Sequence, residues 1–218
     1  MRVPEGYQPH SVDTLKGYLA GVPSVAKLLG GEPAQWHMEE VGDGNLNLVF
    51  KVRSGATGVA VKQALPYVRL VGESWPLPLS RAHYEHMALR LQARHAPGLV
   101  PRIVHYDEKL ALIVMELLEP HIIMRRGMIT ATRYPRFAND ITAFMARTLY
   151  FTSDLALPAD RKKALIADFA GNTALCKITE DLIFTDPYFQ AEQNRWTSPW
   201  LDATAASFRE DLDLHVAI

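Results

Sequence analysis

Residues 41–64 constrain the fold of this chain more than any other segment. Apolar residues recur at alternate positions over residues 46–53 and 59–64, and a further run of the same kind precedes them at 36–42. Short turns that contain glycine separate the three runs. Such alternation predicts β-strands that each bury one face, joined in sequence as antiparallel neighbours. The first turn contains Gly42 and Gly44, and the third strand carries Lys62. Glycines let a backbone approach phosphate oxygens and a lysine supplies positive charge beside them, so the pattern predicts a nucleoside triphosphate site.

The rest of the chain extends this sheet and then becomes helical. Predicted strands cover residues 36–42, 46–53, 59–64, 100–106 and 110–116, and predicted helices cover 11–30 and 80–94, with further helices after Pro135, at 160–170, after Asn172 and after Pro199. Three prolines between residues 65 and 79 predict a loop without regular structure. The predicted fold is α+β: a five-stranded antiparallel sheet with one crossover helix, then helices only. We place the division between residues 1–118 and 119–218.

Net charge, apolar run length and cysteine count limit the classes of protein to which this chain can belong. The formal net charge is -1, so a broad nucleic-acid or membrane surface is not expected. No apolar run approaches the roughly 18 residues that span a bilayer, and the N-terminus lacks the pattern of a signal peptide. The single cysteine, Cys176, cannot form an internal disulfide, which favours a cytoplasmic protein. Cys176 falls in an apolar helical pattern and is therefore expected to be buried.

Lys62 is the residue on which the site prediction depends. Burying an unpaired ammonium group costs several kcal/mol, so an inward-facing lysine in this strand needs an anion. Glu85 on the crossover helix is the candidate partner, and Glu73 and Glu108 are alternatives. The structural alternatives are that Lys62 lies on an edge strand and points into water, and that Glu85 is a helix residue that also points into water.

Residues 115–118 end a nearly all-apolar strand, where backbone groups could bind a purine edge with little demand on side chains.

Two other patterns look catalytic and are interpreted as structural. His105-Tyr106-Asp107 lies at a predicted strand end, and Asp186-Pro187 is expected to end a helix. His83 and His86 lack metal-site spacing and are interpreted as surface or packing residues.

Several longer strings make the chain resemble a known family. They are residues 42–50, Lys62-Gln63-Ala64-Leu65-Pro66-Tyr67, Val71-Gly72-Glu73-Ser74-Trp75-Pro76-Leu77, residues 97–101, Leu112-Ile113-Val114-Met115-Glu116 and Thr197-Ser198-Pro199. Together they resemble the S-methyl-5-thioribose kinases, small-molecule kinases with a protein-kinase-like fold. The resemblance runs from about residue 7 to the end of the chain.

The resemblance implies ATP-dependent phosphorylation of the 1-hydroxyl of methylthioribose in methionine salvage, with Mg²⁺ as metal and a homodimer as possible assembly. It implies that Asn45, with Gly42 and Gly44, contacts the nucleotide and that Lys62 contacts its phosphates. Glu85 would hold that lysine. The adenine contacts would come from Glu116, Leu117 and Leu118, and Trp75 would lie near the mouth of the site.

The family's His-Gly-Asp catalytic loop and Asp-Pro-Glu metal motif do not occur in this sequence, so no catalytic or metal-binding residue is assigned. We expect both motifs beyond Ile218 and expect residues 1–218 alone to be inactive, because a missing base costs roughly 10²–10⁴-fold in rate. Another sugar or choline-type kinase and a non-catalytic nucleotide-binding protein are the alternative functions.

Overall fold

The computed structural model describes residues 4–42, 46–69, 72–192 and 194–218, with only the backbone for residues 73 and 74. The chain divides into two compact units, Met1–Phe169 and Ala170–Ile218. The predicted division at residue 118 lies inside the first unit and stays a prediction.

The first unit combines strands with helices. Its strands are β1 His37–Glu40, β2 Asn47–Ser54, β3 Thr57–Ala64, β4 Tyr67–Val68, β5 Gly72–Pro76, β6 Ile103–Asp107 and β7 Leu112–Glu116. Its helices are α1 Val12–Ala20, α2 Pro23–Leu29, α3 Arg81–His95, α4 Met124–Ile129, α5 Phe137–Phe151 and α6 Ala159–Phe169. A 3-10 turn, Pro33–Gln35, precedes β1.

The predicted five-stranded antiparallel sheet is confirmed. Its strand order is β1-β2-β3-β7-β6, and α3 is the crossover element between β3 and β6 in sequence. The pairing of β2 with β3 runs from Asn47 opposite Ala64 to Ser54 opposite Thr57. This sheet with its crossover helix, followed by helices, is the α+β arrangement expected of a kinase-like small lobe and the beginning of a helical lobe.

The two faces of the sheet have different roles. Phe50, Val52, Val59 and Val61 point to one face and are buried with α1 and α2 in the main core. Successive strand residues alternate between faces, so Lys62 points to the opposite face. The core thus fixes which residues of β3 are available to form a site.

The single helix predicted over residues 11–30 is wrong, because the structure has two helices, α1 and α2. Ser11 is the N-cap as predicted, and its hydroxyl accepts from the Thr14 N–H in a capping box. The break follows from Pro23, which has no N–H to donate and whose ring clashes with the preceding turn of a helix. Gly30 ends α2 with a φ of 61°, a conformation that glycine adopts readily.

The prediction of no regular structure over residues 65–79 is also wrong. β4 and β5 form a two-stranded antiparallel sheet in which Tyr67 pairs with Pro76. Pro66 precedes β4, and its carbonyl accepts from the Leu77 N–H at 2.9 Å. The prolines lie at or beyond the strand ends, where the missing N–H groups do not interrupt the pairing.

The sequence prediction missed α4, a six-residue helix with Gly127 near its centre. Tyr134 crosses this glycine so closely that an added Cβ would lie 1.7 Å from the tyrosine oxygen. A short helix that contains glycine gives a weak periodic signal, because glycine is a poor helix former and has no side chain to mark a face.

The second unit contains α7 Thr173–Thr179, a π-helix at Glu180–Thr185, 3-10 turns at Asp186–Tyr188 and Pro199–Leu201, α8 Asp202–Glu210 and α9 Leu212–Ala217. The π-helix ends at Thr185 with Asp186 as its C-cap, and one 3-10 turn that contains Asp186 and Pro187 follows, so the helix ends at Asp186-Pro187 as predicted. The helix predicted to run from Pro199 to the chain end is interrupted at Asp211, whose extended backbone and side chain cap α9.

The expectation that Cys176 is buried is wrong, because its side chain is exposed. Leu175 and Ile178, three residues apart on α7, share the more covered side of the helix. Cys176 lies one residue, or about 100° of helix rotation, away from Leu175 and faces outward. Within the part of the chain that the structure describes, no helix has both the length and the apolar character needed to cross a membrane.

Candidate functional site

Lys62 and Glu85 form the centre of the candidate site. The Lys62 Nζ lies 2.7 Å from the Glu85 Oε1, and both side chains are about one-third exposed, at 30% and 34%. The ammonium is therefore held by a carboxylate in a side chain that is only partly covered. A lysine fixed in this way can present its remaining N–H donors to an anion.

The structure selects among the three carboxylates considered for Lys62. Glu85 is carried to it by α3, which crosses between β3 and β6. Glu108 is exposed in the turn between β6 and β7, and its carbonyl accepts from the Ala111 N–H. The Glu73 side chain lies outside what the structure describes.

An apolar surface lies beside the lysine. Val49 and Ile113 are the direct cross-strand partners of Lys62, and Ala60 pairs with Met115 one step along the same face. Residues opposite each other in antiparallel strands point to the same side, so these side chains lie beside Lys62 on one face of the sheet. Positive charge at one end and apolar surface at the other match the two ends of a nucleotide.

The glycine turn joins β1 to β2. The described residues at its two ends are Gly42 and Leu46, and the Val41 N–H donates to the Val49 carbonyl at 2.8 Å. Gly44 and Asn45, both predicted as nucleotide contacts, lie outside the described residues.

The segment after β7 holds the three predicted adenine contacts. The Glu116 carboxylate accepts from the Arg102 backbone N–H at 3.1 Å, so this side chain is already engaged. The Leu117 side chain lies against Gly58 of β3, and Leu118 is 43% exposed. The close approach of Leu117 to β3 places this segment beside the apolar surface around Ala60.

A group of four charged residues fixes the chain just beyond Leu118. Glu119 accepts from two nitrogens of Arg53, at 2.6 and 3.0 Å, and Glu39 also accepts from Arg53. Lys51 lies 3.6 Å from Glu119. The hydrogen bond from Arg53, with the nearby positive charges, lowers the pKa of the Glu119 carboxyl. These pairs are exposed and screened by salt, so they orient the segment more than they stabilise it.

The histidine and aspartate of the His105-Tyr106-Asp107 pattern have structural partners. The Tyr18 hydroxyl of α1 donates to Asp107 at 2.9 Å and lies 3.1 Å from the His105 Nε2. His86 stacks on Tyr106 with ring centroids 4.1 Å apart. These contacts join α1 and α3 to β6, as the structural interpretation of the pattern requires.

Two residues near the site were not singled out from the sequence. Gln63 is fully buried next to Lys62 on the opposite face, and Arg81 at the start of α3 is 6% exposed. Both are polar residues in positions where apolar residues would be expected. The sequence signal for Gln63 was available, because the strict alternation in β3 assigns it to the core face.

Three partly or fully buried ionisable groups of the first unit, Tyr7, Arg81 and Tyr106, predict how stability depends on alkaline pH. Burial raises the pKa of Tyr7 to about 12, and burial also raises the pKa of Tyr106 to about 12. In the unfolded chain the two tyrosine hydroxyls lose their protons near pH 10, whereas in the folded chain they keep them until about pH 12. The stability that the two tyrosines contribute is therefore present below pH 10 and is lost as the pH rises toward 12. Burial lowers the pKa of Arg81 to about 10, which acts in the opposite sense above that pH.

We therefore expect the melting temperature to fall between pH 9 and pH 11, and to fall less in Tyr7→Phe. The phenylalanine variant keeps the ring but cannot ionise, and it also loses the hydrogen bond to the Ala64 carbonyl. Thermal unfolding followed by circular dichroism at the two pH values measures the difference. An equal drop in both proteins would show that Tyr7 does not contribute.

Within the described part of the chain, no three His, Cys, Asp or Glu side chains converge where they could hold a metal ion. The described site thus offers a lysine held by a carboxylate, an apolar surface beside it and the segment that follows β7.

Comparison with known proteins identifies the relatives of this chain. A methylthioribose kinase of Escherichia coli is 48% identical over 213 residues, which are 97% of this chain and 51% of that protein. Methylthioribose kinase 1 of Oryza sativa is 42% identical over 98% of this chain and 50% of its own length. A methylthioribose kinase of Klebsiella pneumoniae is 42% identical over 97% of this chain and 51% of its own length. No family model matches the chain.

The chain spans about half the length of the curated relatives it matches. The aligned part includes the glycine turn, Lys62, Glu85 and the segment after β7, since nearly all of this chain is covered. By sequence, the chain is therefore a homologue of the methylthioribose kinases, matched along about half of their length.

Proposed function

We propose that this chain is the nucleotide-binding part of a kinase that phosphorylates S-methyl-5-thioribose with ATP as the phosphoryl donor. The observation that carries the proposal is the 2.7 Å pair between Lys62 and Glu85, whose side chains are both about one-third exposed. In kinases a lysine held by a helix glutamate binds the phosphates of ATP. The names of the relatives supply the acceptor, and the geometry of the pair supports the donor.

We assign the roles within the site from one end of the nucleotide to the other. Lys62 binds the phosphates, and the glycine turn with Gly42, Gly44 and Asn45 covers them. The backbone of residues 116–118 binds the adenine edge, with the ring against the apolar surface around Ala60. Residues 1–118 then form the nucleotide-binding lobe, and residues 119–218 contribute the first helices of the second lobe.

The proposed reaction transfers the terminal phosphoryl group to the 1-hydroxyl of the sugar. The hydroxyl oxygen bonds to the terminal phosphorus, the bond to the bridging oxygen breaks, ADP leaves, and a base takes the hydroxyl proton. Mg²⁺ neutralises charge on the phosphates when bound. The contribution assigned to this chain is to hold and orient the nucleotide, and neither the base nor the metal ligands are assigned to it.

The cellular setting follows from the same proposal. Phosphorylation of methylthioribose belongs to methionine salvage, and a single cysteine fits a cytoplasmic protein. We propose a homodimer as the assembly, on the family resemblance.

Calorimetry can measure the binding of ATP, ADP, AMP and adenosine to residues 1–218. These affinities test the proposal that this chain binds ATP as the phosphoryl donor. We expect affinity to rise with the number of phosphates, because Lys62 and the glycine turn contact phosphate groups. Equal affinity for ATP and adenosine would contradict the proposed phosphate site.

A second experiment tests the acceptor. A protein extended to the length of the relatives is incubated with ATP and methylthioribose, ribose or choline, and ADP release is measured. We expect turnover with methylthioribose and little with the others, and no turnover by residues 1–218 alone. Preference for ribose or choline would establish another small-molecule kinase, and ATP binding without turnover on any acceptor would favour a non-catalytic nucleotide-binding protein.

The adenine end can be tested through Gly58. A Cβ added there would lie 2.7 Å from the Leu117 Cδ2 and 3.1 Å from the Val52 carbonyl oxygen, so Gly58→Ala must displace Leu117. We expect affinity for both ATP and adenosine to fall by about fivefold, while affinity for inorganic tripolyphosphate stays the same. Unchanged adenosine binding in this variant would mean that Leu117 does not line the adenine site.

A further inference from the structure

Arg81 is a buried cation next to the candidate site. Its side chain is 6% exposed, and its Nε has no hydrogen-bond partner. Its remaining nitrogens donate to the Pro78 carbonyl at 3.1 Å, to the Leu46 carbonyl and to the Asn47 Oδ1 at 3.4 Å. All three acceptors are neutral oxygens. Burying a cation on neutral partners costs free energy, so an apolar residue here would serve stability alone at least as well.

The acceptors of Arg81 belong to two different elements. Leu46 and Asn47 are the end of the glycine turn and the start of β2, whereas Pro78 precedes α3. The Leu46 carbonyl also accepts from the Leu65 N–H at 3.3 Å. The planar guanidinium, with donors on both sides, therefore ties the exit of the glycine turn to the beginning of α3.

The same helix holds Lys62. Glu85 follows Arg81 by four residues, so the two side chains lie on the same side of α3, one turn apart. Arg81 holds Leu46 and Asn47 at the exit of the glycine turn. The Glu85 Oε1 accepts from the Lys62 Nζ at 2.7 Å. Because α3 is a continuous helix of 15 residues, it fixes the spacing between these two parts of the phosphate site.

We propose that Arg81 is a positioning residue for the phosphates of the nucleotide, acting by holding Leu46 and Asn47, the exit of the glycine turn, at a fixed distance from Lys62. This inference rests on the proposed function. It assigns to Arg81 no direct contact with the nucleotide, since its Nε is enclosed by protein. The role depends on the planar guanidinium, which donates hydrogen bonds on two sides, and not on positive charge alone.

Two substitutions separate geometry from charge. Arg81→Lys keeps a positive charge but cannot reach acceptors on both sides, and Arg81→Met removes charge and donors together. Arg90→Met is the matched control, because it removes an exposed arginine from the same helix. Affinities of residues 1–218 for ATP and adenosine are measured by calorimetry, and amide hydrogen exchange at Asn47 reports how firmly the turn exit is held.

We expect both Arg81 variants to bind ATP about tenfold more weakly, corresponding to loss of one or two hydrogen bonds from a charged group, with little change for adenosine. Exchange at Asn47 should become faster, and Arg90→Met should match the wild type. If Arg81→Met does not fold, Asn47→Ala, which removes one acceptor only, should still weaken ATP binding by about threefold.

The outcomes distinguish the inference from the proposed function. Wild-type ATP affinity in Arg81→Lys would overturn the positioning role. Equal losses for ATP and adenosine would overturn it as well, because they would indicate general damage to the fold. Absence of ATP binding by the wild type would instead refute the proposed function, and unchanged exchange at Asn47 in Arg81→Lys would independently refute the link between Arg81 and the turn.

Discussion

Replacing Lys62 with methionine should lower the affinity of this chain for ATP by about 10- to 100-fold and leave its affinity for adenosine nearly unchanged. Methionine preserves much of the length and apolar contact of the lysine stem and removes only the ammonium. A hydrogen bond to a charged group contributes about 1.5–3 kcal/mol, which corresponds to this range of affinity. The effect should be selective for ATP over adenosine because, in the proposed site, the ammonium contacts the phosphates that adenosine lacks.

The stability of the fold should change much less than the affinity. The pair of Lys62 with Glu85 is about one-third exposed on both sides, so its contribution to folding is well under about 1 kcal/mol. Measurements of ATP affinity and of stability therefore separate function from folding.

Glu85→Gln should weaken ATP binding less than Lys62→Met, because the ammonium remains but is less firmly oriented.

Lys109→Met is the control for this series, since it removes an exposed lysine from the turn between β6 and β7. Calorimetric titration with ATP and adenosine, together with melting temperatures, completes the comparison. Lys109→Met should bind ATP like the wild type, and the phosphate role of Lys62 would be refuted if Lys62→Met did so as well.

The largest effect on stability is expected from Gln63→Leu. Gln63 is fully buried, and its Oε1 accepts from the His10 N–H at 2.8 Å. Its Nε2 donates to the carbonyls of Gln8 and Leu110, at 2.9 and 3.0 Å. Leucine has a similar size but leaves these three backbone groups without their side-chain partner. Since a buried unsatisfied group costs about 1–3 kcal/mol, we expect a loss of about 3 kcal/mol or more.

Urea unfolding followed by tryptophan fluorescence measures this loss, with Gln8→Leu as control. The Gln8 side chain is exposed, and its carbonyl, which Gln63 uses, is unaffected by the substitution. If both variants lost the same small amount, the buried hydrogen bonds of Gln63 would not anchor the N-terminal segment to the sheet.

The sheet was predictable because its signals are local. Alternation in β2 and β3 depends on which residues face the core, and the turns between strands contain glycine, so strand type and order could be inferred residue by residue. The break at Pro23 was also visible in the sequence, but the apolar spacing on both sides suggested one continuous helix. The hairpin of β4 and β5 was missed because prolines at strand ends resemble prolines that prevent strands.

The candidate site was only partly predictable, because its contacts join distant segments. Glu85 could be proposed from its place on the crossover helix, yet the sequence left Glu73 and Glu108 open, and only the packing of α3 against the sheet brings Glu85 to Lys62. Arg81 gave no signal at all. Its partners are backbone carbonyls and one amide oxygen, and such acceptors are present in every sequence, so the link to the glycine turn requires the fold.

The most direct measurement is covalent labelling with an ATP analogue that carries an acyl group on its terminal phosphate. A lysine amine beside the phosphates attacks the acyl carbonyl, the bond from that carbon to the phosphate oxygen breaks, ATP leaves, and a stable amide remains on the lysine. Mass spectrometry of peptides from residues 1–218 identifies the modified residue. We predict labelling of Lys62 that excess ATP prevents. Failure to label Lys62, or labelling that ATP does not reduce, would contradict the central claim that its ammonium lies at the phosphates of a bound nucleotide.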